Sequence, residues 1–219
     1  MKKRKTDSSD YFPAFLNIRR KNCLIVGGGG VALRKVNTLV SCGADVTVIS
    51  SRVHQELMQL AKKKIIRVIR RDYEPGDLEG AFVVVAATDD KKMNRNIAED
   101  AKKIQALVNV VDDPGPSDFI VPSVLRRGDL IFAISTGGRS PALSRKLRTR
   151  LEKTFGEEYG PLVTLVGEIR SSLKQRKITI DAETWQDALQ VGVILKLLTT
   201  GKRKKAKDFI TGRLTKEKT

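Results

Sequence analysis

The feature that most restricts this chain is a short apolar run that empties into four glycines: Asn22-Cys23-Leu24-Ile25-Val26, then Gly27-Gly28-Gly29-Gly30-Val31-Ala32. The run has the length and composition of a buried strand. Val31, Val36, Leu39 and Val40 then fall at helical spacing until Gly43 ends the pattern. Strand, glycine turn and helix in that order make a phosphate site. Backbone approaches a pyrophosphate closely only where no Cβ intrudes, and the N-terminus of the helix adds oriented N–H groups and partial positive charge. Gly27, Gly29 and Ala32 occupy the GxGxxA positions of a dinucleotide fold, with Gly28, Gly30 and Val31 completing the turn. The alternative is a glycine-rich turn that binds nothing, and the surrounding pattern argues against it.

That pattern alternates strands with helices. Asp45 to Ser50 predicts a second strand, His54 to Lys64 a helix, and Ile65 to Arg70 a third strand whose alternating basic and apolar residues suit a sheet edge. Ala81 to Ala87 is uniformly apolar, as a strand covered on both faces is. Lys92 to Lys103 reads as a helix and Ala106 to Val111 as a fifth strand, and Pro114-Gly115-Pro116 punctuates the end. The fold class expected is α/β, a Rossmann-type doubly wound parallel sheet over residues 11–115, preceded by a mobile basic arm at 1–10. A small α+β region, 116–150, is expected next, with strands at Asp118 to Pro122 and Asp129 to Ser135 joined by Val124 to Gly128. Ser140-Pro141 starts a helix that could run to Phe155. Residues 151–219 are expected to be helical and to end in a basic tail, with eight Lys and Arg after Gly201.

Composition narrows the partners. The formal net charge is +17, from 42 Lys and Arg against 25 Asp and Glu, so an acidic ligand is expected. Nucleic acid, an anionic membrane surface and a polycarboxylate or phosphate substrate all suit that field. The sequence carries no recognisable nucleic-acid module and only 5% aromatic residues, which argues against nucleic acid. No apolar run approaches the roughly 20 residues of a membrane span. Polar residues and Pro13 follow the basic start, so there is no signal-peptide core and a cytoplasmic protein is expected. Cys23 and Cys42 lack metal-ligand spacing and read as reduced packing residues, so no metal site is expected.

The dinucleotide reading nominates further residues. An acid some 20 residues past the turn usually holds the ribose, yet the second strand ends Ile49-Ser50-Ser51-Arg52. Ser50 and Ser51 can hydrogen-bond a ribose hydroxyl, while Arg52 suits a 2′-phosphate; the residues leave NAD and NADP open. The ends of strands four and five place Thr88, Asp89, Asn109 and Asp112 toward the nicotinamide half of a Rossmann cleft. Asp89 and Asp90 serve equally well as an N-cap. With one His in the chain, Asp112 at the end of a central strand is the obvious general base, and the start of a turn is its alternative.

Several segments together resemble the siroheme synthase N-terminal family. They are Tyr11-Phe12-Pro13-Ala14-Phe15, the turn with Val31-Ala32 and Arg34-Lys35, Ala86-Ala87-Thr88-Asp89, Asn109-Val110-Val111-Asp112, Phe119-Ile120-Val121-Pro122-Ser123, and Ala133-Ile134-Ser135-Thr136-Gly137-Gly138-Arg139-Ser140-Pro141-Ala142-Leu143. The resemblance covers most of residues 11 to 160 and thins in the C-terminal helices. It implies precorrin-2 dehydrogenase activity: NAD-dependent oxidation of precorrin-2, a polycarboxylate tetrapyrrole, to sirohydrochlorin, in some members combined with sirohydrochlorin ferrochelatase. It implies a homodimer formed through the region after the Rossmann domain, cofactor contacts at Gly30, Val31, Ser51 and Arg52, and an essential aspartate at Asp112. It also implies a substrate-side loop at Ser135, Thr136, Gly137 and Gly138, with Arg139 beside it. The basic run Arg139, Arg145, Lys146, Arg148 and Arg150 would then meet substrate carboxylates, although a solvated helix face explains part of it. A non-catalytic NAD-sensing module is the rival from another class.

Overall fold

The computed structural model describes residues 11–215. The expected arm at 1–10 lies outside the described residues, as does the end of the tail at 216–219. Two compact units divide between Val121 and Pro122.

The first unit is a parallel five-stranded sheet. Its strands are β1 (Asn22–Val26), β2 (Asp45–Ile49), β3 (Arg67–Ile69), β4 (Val83–Ala86) and β5 (Leu107–Val110), in the spatial order β3-β2-β1-β4-β5. Helices α1 (Gly30–Ser41), α2 (Gln55–Lys62) and α3 (Lys91–Lys103) connect them. Alternate residues of each strand face opposite sides, and the sequence loads both sides. Leu24 and Val26 of β1 join Val84 and Ala86 of β4 in a core with Ile97, Ala98 and Ala101 of α3. Cys23 and Ile25 join Val46, Val48, Val83 and Val85 in a second core with Ala32 and Val36 of α1 and Leu57 of α2. The doubly wound α/β sheet expected from the sequence is therefore present, with β3 at one edge. Cys23 and Cys42 are unbonded thiols, and burial pushes that of Cys23 up to about 11.

Two expectations about this unit need correction. β5 is the opposite edge strand, so Asp112 does not follow a central strand. The segment 118–122 is not a strand but part of a loop that covers the free edge of β5 with one backbone bond, from the Asp118 N–H to the Val108 carbonyl at 2.8 Å, and with side chains. The Asp118 carboxylate accepts from the Val108 N–H at 2.9 Å and the Ser117 hydroxyl accepts from the Val110 N–H at 2.9 Å. An uncovered edge would expose unpaired backbone groups, and side chains of this loop satisfy them where another strand would otherwise pair.

The second unit opens with an antiparallel hairpin, β6 (Ser123–Arg127) and β7 (Leu130–Ile134). The stretch expected to be a connector is thus itself mostly strand, because the reversal is confined to Gly128, at φ +58°, and Asp129. Helix α4 (Pro141–Thr154) begins as expected, with Pro141 in its first turn and the Ser140 hydroxyl accepting from the Leu143 N–H at 3.2 Å. Helices α5 (Tyr159–Gln175), α6 (Ala182–Ala188), α7 (Val191–Thr199) and α8 (Arg203–Thr215) follow. The basic tail is not a loose extension as far as it is described. It forms α8, whose Ala206, Ile210 and Leu214 are buried with Leu165, Ile169 and Ile194. Apolar residues four apart on an otherwise basic helix form the buried stripe.

A bidentate ion pair shapes the loop after β3. The Arg71 guanidinium donates to both oxygens of Asp77 at 2.7 and 2.6 Å, and Asp77 also accepts from the Glu74 N–H. The hydrogen bonds from Arg71 hold the Asp77 carboxyl below the usual carboxylate range, against a smaller effect of burial. A depressed folded pKa stabilises the fold fully above the unfolded value near 3.8 and loses that contribution as pH falls through the folded value. Because Arg71 is half exposed, screening limits the pair, and Asp77→Asn should cost about 1 kcal/mol at neutral pH. Urea melts taken stepwise into acid should show the wild-type advantage shrinking to nothing below the folded pKa. A difference independent of pH would contradict this account.

Candidate active site

Three loops meet at the carboxyl ends of β1, β2 and β4, where the connections diverge to opposite sides of β1. They are Gly27 to Val31, Ser50 to His54, and Ala87 to Asp90, and they line a cavity of about 690 Å³ together with Asp72, Tyr73 and Met93. That volume lies within the usual range for a small-molecule site. The switch point of an open α/β sheet is where such ligands bind.

The four glycines do different work. A Cβ on Gly27 would sit 2.2 Å from the Ala87 carbonyl oxygen, and its φ of +120° also favours glycine. A Cβ on Gly28 would sit 2.1 Å from the Arg52 carbonyl oxygen. The fold itself demands these two. Gly29 and Gly30 face no protein atom within 4 Å of such a Cβ, so nothing in the chain requires them to be glycine. Ala32, fully buried, lets α1 pack tightly on the sheet. No side chain caps α1, no acid stands in its first turn, and Gly30 and Val31 both line the cavity. Open space over bare glycines at an uncapped helix start suits the pyrophosphate of a dinucleotide, so the residues present fit that group.

The flanking loops are held in place by the same backbone. The Gly28 carbonyl accepts from the His54 N–H at 2.8 Å, and the Gly27 N–H donates to the Ile49 carbonyl at 2.9 Å. The Ser50 hydroxyl donates to the Arg52 carbonyl at 2.7 Å and keeps lone pairs for a ribose hydroxyl. Thr88 is more committed. Its hydroxyl donates to Asn94 Oδ1 at 2.7 Å and accepts from the Asp90 N–H, while Asn94 returns a bond to the Thr88 carbonyl. Asp90, not Asp89, is the N-cap of α3, accepting from the Lys92 and Met93 N–H groups. Asp89 is therefore left exposed at the cavity. His54 caps α2 through Nδ1, which accepts from the Glu56 N–H at 3.3 Å.

Gly27 to Val31, Ser50, Ser51, Arg52, Thr88 and Asp89 all line the cavity; Asn109 and Asp112 do not. Asn109 is buried, accepts from Lys35 Nζ at 3.4 Å and donates to the Phe119 carbonyl at 3.0 Å. Asp112 stands in a left-handed conformation, φ +59°, on the turn after β5. Lys35, on α1, was not nominated from sequence. Burial holds its ammonium below the usual lysine range; nearby Arg34 adds to that, and Asp112 opposes it. Asp72, Tyr73, Val53, His54 and Met93 were also missed as lining residues. Only the Arg71–Asp77 loop and the Tyr73 hydroxyl, which donates to Asp100 at 2.9 Å, bring the first two there. Among the described residues no cluster of His, Cys, Asp or Glu could hold a metal ion.

In the second unit, Ser135 to Arg139 form a tight loop before α4. Gly137 and Gly138 both have positive φ, the Ser135 hydroxyl accepts from the Gly137 N–H at 3.0 Å, and the Thr136 hydroxyl accepts from the Ser140 N–H at 2.9 Å. The basic residues Arg145, Lys146, Arg150 and Lys153 share one exposed face of α4.

The split among the glycines is testable. Gly28→Ala should destabilise the fold by about 2–3 kcal/mol, because the Arg52 carbonyl must move. Gly30→Ala should leave stability within about 0.5 kcal/mol while weakening dinucleotide binding at least about tenfold. Thermal melts and calorimetric titration with NAD would check both, and unchanged affinity in Gly30→Ala would count against a pyrophosphate at this turn.

Comparison with known proteins agrees with this geometry. Residues 14–123 match the family model described as putative NAD(P)-binding, and residues 127–154 match that of the sirohaem biosynthesis protein central region. A siroheme synthase of Methylobacillus flagellatus is 41% identical over 197 residues, covering 89% of this chain and 42% of its own. One from Nitrosococcus oceani is 39% identical over 206 residues, covering 93% and 44%. The chain thus spans less than half the length of these relatives. The solved structure of SirC, precorrin-2 dehydrogenase, has the same fold, with a TM-score of 0.68 at 24% identity, covering 93% of this chain and 98% of that one. The chain belongs to the NAD(P)-binding N-terminal family of siroheme synthases.

Proposed function

We propose that the protein is a precorrin-2 dehydrogenase, an NAD-dependent oxidoreductase acting on a CH–CH bond of a tetrapyrrole in siroheme biosynthesis. The observation that carries the reading is the uncapped start of α1 with open space over Gly29 and Gly30, in a chain of the siroheme synthase family. A nicotinamide dinucleotide held there supplies the acceptor for the two electrons that leave the substrate. The chain's own residues bind and orient. Gly29 to Val31 take the pyrophosphate, and Ser50, Ser51 and Arg52 take the adenosine ribose. Thr88 and Asp89 border the nicotinamide half.

NAD is the cofactor proposed, on the family resemblance, since no acid ends β2 and Arg52 is also suited to a 2′-phosphate. Asp112 is the proposed base for the proton released as the macrocycle gains conjugation, near enough to Lys35 for its charge to be felt by that ammonium. The loop Ser135 to Arg139 is the proposed substrate side, where Arg139 and the basic face of α4 pair with carboxylates. A homodimer in the cytoplasm, acting on a polycarboxylate tetrapyrrole and on neither nucleic acid nor membrane, completes the reading.

The test is an assay with precorrin-2 and each of NAD and NADP, following reduced nicotinamide. Activity with NAD is expected, and Asp112→Ala should lower kcat by at least about 100-fold with NAD binding unchanged. Near-wild-type turnover in that variant would remove Asp112 from the mechanism. Tight NAD binding without turnover in the wild type would favour a sensing module.

A further inference from the structure

A second cavity, of about 760 Å³, lies within the C-terminal helical unit and shares no residue with the dinucleotide cavity. One wall is α5; the other is the segment from Ile178 into α6. The chain turns sharply between them. Lys177 adopts φ +55°, its N–H donates to the Lys174 carbonyl at 3.0 Å, and the Ile178 N–H donates to the Leu173 carbonyl at 2.9 Å. That closure folds Ile178 and Ile180 back beside Leu173, and Trp185 of α6 completes an apolar lining.

The rim has the opposite character. Arg170, Lys174 and Lys177 border the groove, all exposed, and no aspartate or glutamate lines it. None of the three is in an ion pair among the described residues. Arg170 and Lys174, four residues apart, lie on one side of α5 about 6 Å apart, and Lys177 follows in the left-handed turn beyond the helix end. An apolar floor with an aromatic wall and a one-sided row of free cations is complementary to a flat apolar body with carboxylates at its edge. The scale also selects: a cavity of about 760 Å³ suits one small-molecule ligand, whereas a protein partner needs about 800 Å² of surface.

We infer that this groove is a holding site for a polycarboxylate macrocycle, of the same chemical class as the proposed substrate and its product. It rests on that reading for the identity of the ligand. Carboxylates pair with Arg170, Lys174 and Lys177, and the ring face lies against Trp185.

Trp185 is the one tryptophan of the chain, so its emission reports the groove locally. Uroporphyrin III is the probe, and collisional quenching by iodide and by caesium is followed through the fluorescence lifetime. In the free protein iodide should quench better than caesium, because the rim is cationic. Uroporphyrin III should protect Trp185 from iodide, with an affinity that falls as salt rises. The R170E/K174E double variant should reverse the preference between the two ions and weaken protection at least about tenfold, while turnover of precorrin-2 stays at the wild-type level. R170K/K174R should retain protection, which separates loss of charge from loss of fold. Equal affinity in the charge-reversed variant would overturn the inference. So would protection that depends on protein concentration alone, the mark of a second copy of the chain, or protection by an acidic helical peptide and not by the porphyrin. Turnover without protection would remove the holding site and leave the dehydrogenase; protection without turnover would do the reverse.

Discussion

The close approach of backbone to backbone at Gly27 and Gly28 is the constraint on which the first unit depends. Gly27 lies against the end of β4 and Gly28 against the loop after β2, each nearer than any Cβ allows. Two neighbouring loops are thereby drawn over the end of β1; hydrogen bonds from Gly27 to Ile49 and from His54 to Gly28 hold the one after β2, and one from Ala87 to Val26 holds the one after β4. The cavity exists because these loops stop just short of closing over Gly29 and Gly30.

That arrangement accounts for what each part of the cavity can do. The end formed by the glycine turn, proposed for the phosphates, is made of backbone, which carries no charge of its own beyond the helix dipole. The loop after β2, proposed for the ribose, has short hydroxyl side chains and an exposed arginine in place of the common acid, so nothing there repels a phosphate. The far end is stiffened by the Thr88–Asn94 exchange, with Asp90 spent as a cap and Asp89 left over. A half-buried lysine on α1 bonds to the buried Asn109 of β5, with the charge of the exposed Asp112 felt at the lysine. The Asn109 amide ties Lys35 on one side to the loop at Phe119 on the other.

The second unit follows another principle. Its hairpin and α4 carry a capped, glycine-tightened loop, and its helices close around one apolar core. The basic residues of this unit are spread over exposed faces of α4, α5 and α8 rather than gathered at one point. On α5 it borders an apolar groove, which gives those cations a role beyond solvation.

Much of this was legible in the sequence. The strand, glycine turn and helix, the uniformly apolar β4 and the mixed β3 follow from local composition and period, because a strand covered on both faces must be apolar throughout and an edge need not be. The Ser140-Pro141 start of α4 follows from capping chemistry. What only the tertiary structure decided depends on partners distant in the chain. Segment 118–122 has strand-like composition yet meets the backbone of β5 at Asp118, through its N–H and carboxylate, with the Ser117 hydroxyl beside it, and the basic tail becomes a helix because Ile210 and Leu214 find a core made by α5 and α7. The placement of Asp72 and Tyr73 at the cavity, the burial of Lys35 and the edge position of β5 are likewise set by packing order, which no local pattern encodes. The glycine turn itself was plain from sequence. Which of its glycines serve the fold and which leave room for a ligand was decided by the atoms that pack against them.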